Sequence, residues 1–165
     1  MNTQIERMNG FANKKLFKKS GSNTESNHIA PIPNASFVKE KNVGLTEEQL
    51  KWNKMWELWA EGLIDSPYAE LMTYQSELYN GGHSQYFTNI EDNNDLQKEM
   101  LSLKAVLPFQ LKEALEKAYE AYLMLEENYD DKKAEEIMTQ CDNIFYQNEE
   151  EINHLLEKYS AKIKL

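Results

Sequence analysis

Glu77, His83 and Gln85 set a carboxylate, an imidazole and an amide within nine residues, a combination able to relay protons at a reacting group. Nothing else in the chain completes a reaction centre. No nucleophile, phosphate-binding loop or second carboxylate stands at a recognisable spacing from these three. The three histidines, His28, His83 and His154, fall in different segments, so no HxxxH or HExxH metal pair exists. Cys141 is the single cysteine, which excludes an intrachain disulfide and fits a reducing, cytoplasmic setting. It has no histidine or cation beside it in sequence to favour a thiolate, and reads as a small apolar residue. The expectation is therefore a protein that is not an enzyme, with no cofactor and no metal. His83 is expected at or near the surface, half-buried at most, in place of an aromatic residue.

The elements that position these residues read as helices almost throughout. Thr46 with Gln49 three residues on is a capping-box start. Trp52, Met55, Trp56, Trp59 and Leu63 then follow at helical spacing as one apolar stripe. Ser66 before Pro67 predicts an N-cap with proline at the first helical position. The helix so opened carries Leu71, Met72, Glu77 and Leu78 as far as "NGG". Asn94 and Asp95 can cap the next, with Leu96, Met100, Leu103 and Leu107 inward; Pro108 opens another, with Leu111, Leu115, Ala118, Tyr122 and Leu125 inward. A segment from about Lys132 to Tyr146 follows, and a last helix starts near Asn148, capped with Glu151, burying Ile152, Leu155, Leu156, Tyr159 and Ile163. No period-2 strand exceeds four residues. The predicted fold is all-α: a compact acidic domain of about six helices over residues 45–165, behind a flexible basic segment and linker over residues 1–44. In that segment Ile5, Met8, Phe11, Leu16 and Phe17 could line one side of a short helix, and residues 20–36 read as linker. It has no apolar h-region, so a signal peptide is not expected.

Asn80, Gly81 and Gly82 have a direct local reading. A glycine after a helix adopts the left-handed conformation that ends it, and a second lets the next helix leave at once. The free N–H groups that start the next short helix, around His83, could meet an acceptor such as Glu77. Tyr86 and Phe87 would turn inward while Gln85 and Asn89 hold the turn. The stretch "ELYNGGHSQYFTN" also resembles the signature E-x-x-N-G-G-F-x-Q-Y-F-x-N of a family of small acidic helical bacterial domains of unknown function, related to a DNA-mimic protein. The matching residues are Glu77, Asn80, Gly81, Gly82, Gln85, Tyr86, Phe87 and Asn89; His83 departs, standing where that family usually has phenylalanine. The resemblance covers roughly residues 46–160 and implies a helical domain. It also implies, through the DNA-mimic member, a protein that occupies a transcription factor in place of its operator.

Charge gives an independent reading. Residues 1–42 carry seven Lys/Arg against three Glu, a balance of +4, and residues 43–165 carry eleven against twenty-five, a balance of −14. Such a body repels nucleic acid and anionic membrane and attracts cationic surfaces. No apolar run approaches the ~18 residues of a membrane span. Carboxylates three or four positions apart on a helix lie close enough to stand in for a line of phosphates. Glu113, Glu116 and Glu120 form one line, which Lys112 and Lys117 partly neutralise. Glu126, Glu127, Asp130 and Asp131, with Glu135 and Glu136, form the better one, and Asp142, Glu149, Glu150 and Glu151 extend it. The expected partner is a basic protein, such as a DNA-binding protein, with no direct nucleic-acid binding by the acidic domain. An immunity or antitoxin-like inhibitor of a basic toxin would use the same charge.

Overall fold

The stripe of tryptophans needs a start and a stop to become one helix, and both are present. The computed structural model describes residues 44–93 and 95–165. Helix α1 spans Glu47–Glu61, with Thr46 and Gln49 exchanging backbone-to-side-chain bonds at 2.9 and 3.2 Å. Gly62 ends it in the left-handed conformation, at φ 75°. Met55, Trp56 and Trp59 are buried. Leu63, expected as the last member of the stripe, is 64% exposed. The chain has already left the helix at Gly62, so helical spacing no longer fixes where Leu63 faces.

Helix α2, Tyr68–Asn93, is the central element and packs against every later helix. Its first arm buries Leu71, Met72, Tyr74, Gln75, Ser76, Glu77 and Leu78, so that arm has little solvent side. Ser66 does not cap it as expected. Pro67 holds the cap position, its carbonyl accepting from Leu71 N at 3.1 Å, and the Ser66 hydroxyl meets Ser102 Oγ at 3.3 Å instead. Helix α3, Leu96–Val106, starts on the Asp95 carboxylate and turns Leu96, Met100 and Leu103 inward. Asn94, the other expected cap, lies outside the described residues.

Helix α4, Phe109–Glu127, follows Pro108, and helix α5, Lys132–Gln147, is capped by Asp131, which accepts from Lys133 N and Ala134 N. These two share the most extensive interface in the domain, and Ala114, Ala118 and Ala121 of α4 and Ala134 of α5 are all fully buried. Helix α6, Glu149–Ser160, buries Ile152 and Leu156 and returns to pack on α1 and α2. The Asn148–Glu151 cap is not formed: the Asn148 amide turns back to the Ile144 carbonyl at 2.7 Å. Tyr68 stacks on Tyr159 at 4.2 Å, tying the start of α2 to the end of α6. Six helices and no strand among the described residues make the fold all-α. The basic segment expected over residues 1–44 lies, apart from Gly44, outside the described residues.

Candidate functional site

The double glycine breaks α2 without ending it. Gly81 has φ −174° and ψ 23°, an extended backbone open to any residue; Gly82 has φ 73° and ψ −169°, a region essentially reserved for glycine. The expected left-handed stop is thus corrected to a kink, after which the helix resumes and runs to Asn93. A kink of this kind leaves carbonyls of the first arm and N–H groups of the second without helical partners. One turn of α5 serves both. Asp142 Oδ1 accepts from His83 N at 2.9 Å, and the Tyr146 hydroxyl donates to the Leu78 carbonyl at 3.0 Å. A Cβ on Gly82 would come within 2.5 Å of Asp142 Oδ2, so the close approach of α5 also requires glycine there.

Glu77 is not the acceptor for the second arm's N–H groups, as the sequence suggested. It is 8% exposed, and its Oε2 receives Gln85 Nε2 at 3.0 Å and Asn89 Nδ2 at 2.8 Å. A buried carboxylate needs such donors, and here they staple the second arm to the first. Tyr86 and Phe87 are fully buried in contact with Tyr74, Tyr119 and Tyr122, while Asn80 is exposed.

His83 is completely buried, against the surface or half-buried position expected from sequence. Its Nδ1 lies 2.6 Å from Asp142 Oδ1 and its Nε2 lies 2.8 Å from the Tyr74 hydroxyl. The carboxylate can only accept, so Nδ1–H donates to it, and the other ring nitrogen shares a hydrogen bond with the Tyr74 hydroxyl. Burial first, then the charge of Asp142 and the neighbouring Cys141, holds the Tyr74 phenol well above the ordinary tyrosine range. Carboxylate, imidazole and hydroxyl in this order could pass a proton, but Tyr74 and His83 have no exposed surface for a substrate to meet. The arrangement orients the kink. Glu77 and His83, paired in the sequence reading, spend their hydrogen bonds on different partners.

The acidic residues lie differently from one another. Glu126, Glu127, Asp130 and Glu136 are exposed and form no ion pair among the described residues. Glu135 pairs with Lys132 at 2.9 Å, and Asp131 is occupied by its cap on α5. Of the other carboxylates, Glu116 pairs with Lys104 at 2.7 Å, Asp142 is taken by His83, and Glu149 accepts from the Tyr79 hydroxyl at 3.0 Å. Among the described residues no His, Cys, Asp or Glu side chains converge as metal ligands, and no helix is long and apolar enough to cross a membrane. Asp142, read from sequence only as an extension of the acidic line, and Tyr146 are the partners of the kink that sequence reasoning missed. Their only local signal is an i, i+4 spacing beside the buried Cys141 and Phe145.

The family model described as DMP19-like protein matches residues 68–163. The chain belongs to the DMP19-like family. The match takes in the whole of α2 to α6 and therefore the kink, its α5 clamp and the acidic α4–α5 turn. It starts later than the resemblance read over residues 46–160, so α1 with its three tryptophans falls outside the part matched to the DMP19-like family. Neither a curated protein nor a solved structure matches the chain.

Proposed function

We propose that this DMP19-like protein is a non-enzymatic acidic binding module that occupies a basic, DNA-binding protein in place of DNA. The observation that carries the reading is the exposed and unpaired group Glu126, Glu127, Asp130 and Glu136 around the α4–α5 turn. A solvated carboxylate held in no ion pair projects its field outward, which speeds encounter with a cationic surface and weakens as salt rises. Membership of the DMP19-like family is compatible with this role. The module works in the reducing cytoplasm on this reading, and the acidic domain itself leaves DNA alone.

Capture from native lysate with salt-gradient elution supplies the partner, and duplex DNA is then offered in competition. Displacement of the module by DNA supports mimicry. A captured toxin or nuclease whose active site the module covers, with no competition from its DNA substrate elsewhere, would move the assignment to an immunity-type inhibitor. Tight binding of DNA by residues 43–165 alone would end both acidic readings.

A further inference from the structure

The turn between α4 and α5 shows two large apolar side chains to solvent among its carboxylates. Tyr129 is 80% exposed and Leu123 44% exposed. Leu123 has Glu120 one turn before it on α4 and Glu126 and Glu127 one turn after. Tyr129 stands between Glu127 and Asp130. All four carboxylates are exposed, and none forms an ion pair among the described residues. Apolar side chains grouped within a charged rim have the make-up of a contact surface.

The chain holds a segment of the opposite character. Lys14, Lys15, Leu16, Phe17, Lys18 and Lys19 set two apolar side chains among four ammoniums, where the turn sets two among four carboxylates. Residues 20–43 connect this segment to Gly44, where the described structure begins. Fully extended they reach about 80 Å, against a radius of gyration of about 14 Å for a domain of this size, so every face is within range. Other exposed apolar side chains match less well. Leu101 has Lys98 and Lys104 three residues to either side, Phe109 has Lys112 beside Glu113, and Leu63 is a single leucine between Glu61 and Asp65.

We propose that residues 14–19 dock on the α4–α5 turn of their own chain and shield it until a basic partner displaces them. Leu16 and Phe17 meet Leu123 and Tyr129, and the lysines meet the four carboxylates. The displacement rests on the acidic-module reading; the docking does not. A tethered segment competes at an effective concentration on the order of mM, so weak contacts suffice to hold it.

A nitroxide on Ser20→Cys in the full chain, where Cys141 is buried, broadens nearby amides in nitrogen-15 NMR. Broadening is expected at residues 120–131. It should fall several-fold when all four lysines become glutamine, and also in Leu123→Ser with Tyr129→Ser, which leaves every charge in place. Lys133 is exposed, in no ion pair among the described residues, and opposes the segment, so Lys133→Gln should strengthen docking. A synthetic peptide of residues 12–21 should bind the four-glutamine chain several-fold more tightly than the parent, whose own segment holds the turn.

Broadening that is absent, spread evenly over the acidic surface, or centred on Leu63, Leu101 or Phe109 would overturn the docking. So would indifference to the four glutamines or to the loss of Leu123 and Tyr129, equal peptide binding by the two chains, or weaker docking in Lys133→Gln. Broadening of a nitroxide-free nitrogen-15 chain by an added nitroxide-bearing one would give the turn to a second copy's segment and end the proposal. Docking beside a partner that ignores Glu126, Glu127 and Asp130 removes the acidic-module reading and leaves the docking. A charge-sensitive partner without broadening does the reverse.

Discussion

At position 82 a positive φ and a close neighbour fall on the same residue, whereas position 81 has a close neighbour without a positive φ. Alanine at 82 meets strained backbone and the Asp142 carboxylate together, and should cost about 2–3 kcal/mol. Alanine at 81 meets the movable amide of Gln85, whose shift weakens one bond to Glu77, and the Gln85 Cβ at 3.0 Å, and should cost about 1 kcal/mol. Urea midpoints that fall equally for Gly81→Ala and Gly82→Ala would refute this ordering. Asp142 holds two donors of His83 at once, so Asp142→Ala strands both and should cost about 2–4 kcal/mol. Asp142→Asn keeps an acceptor oxygen and should recover part of that loss; an alanine variant as stable as the parent would remove the clamp from the account.

Helix α5 completes α2 from outside, and this is the part of the architecture that local sequence did not disclose. Tyr146→Phe removes the one side-chain donor to the Leu78 carbonyl and should cost about 1 kcal/mol, with faster hydrogen exchange around the kink. Unchanged exchange at residues 78–86 would count against that. The helices themselves were legible because apolar stripes and caps are local: Thr46 with Gln49, Asp95, and the inward series on α4 all stand where spacing put them. Ser66 and Asn148 were misread because a cap competes with other hydrogen bonds, and Ser102 Oγ and the Ile144 carbonyl won. The partner of His83 was hidden for a stronger reason. Asp142 lies 59 residues away, one acid among many, and only the packing of α5 on α2 brings it to the kink. Glu77 with Gln85 and Asn89 lay within reach of a sequence argument because all three share one broken helix.

At the scale of the molecule, charge and tyrosine burial set opposite responses to solution conditions. A body carrying −14 over residues 43–165 repels itself, so moderate salt should raise its melting temperature while it weakens partner binding; both moving the same way would contradict the charge reading. Alkali acts through the phenols. Burial first, then the bond to Glu91, pushes Tyr122 up to about 12; burial holds Tyr79 and Tyr86 higher still and Tyr74 well above the ordinary tyrosine range. Their unfolded value is about 10. A phenol whose folded pKa lies above its unfolded one binds its proton more tightly in the native state. Its stabilising contribution is therefore complete below pH ~10 and is lost as pH rises through the folded value. Stability should decline from pH ~10 upward, steepening to about 12 as unfolding releases the phenol protons together. Tyr122→Phe gives up the hydroxyl bond to Glu91 at 2.8 Å, so it should start less stable at neutral pH yet fall less across that window. Denaturation midpoints at several pH values from 9 to 12, read beside tyrosinate absorbance, separate the two effects. A parent whose midpoint stays level to pH 12, or a variant that falls in parallel with it, would show that the buried phenols do not govern the alkaline limb.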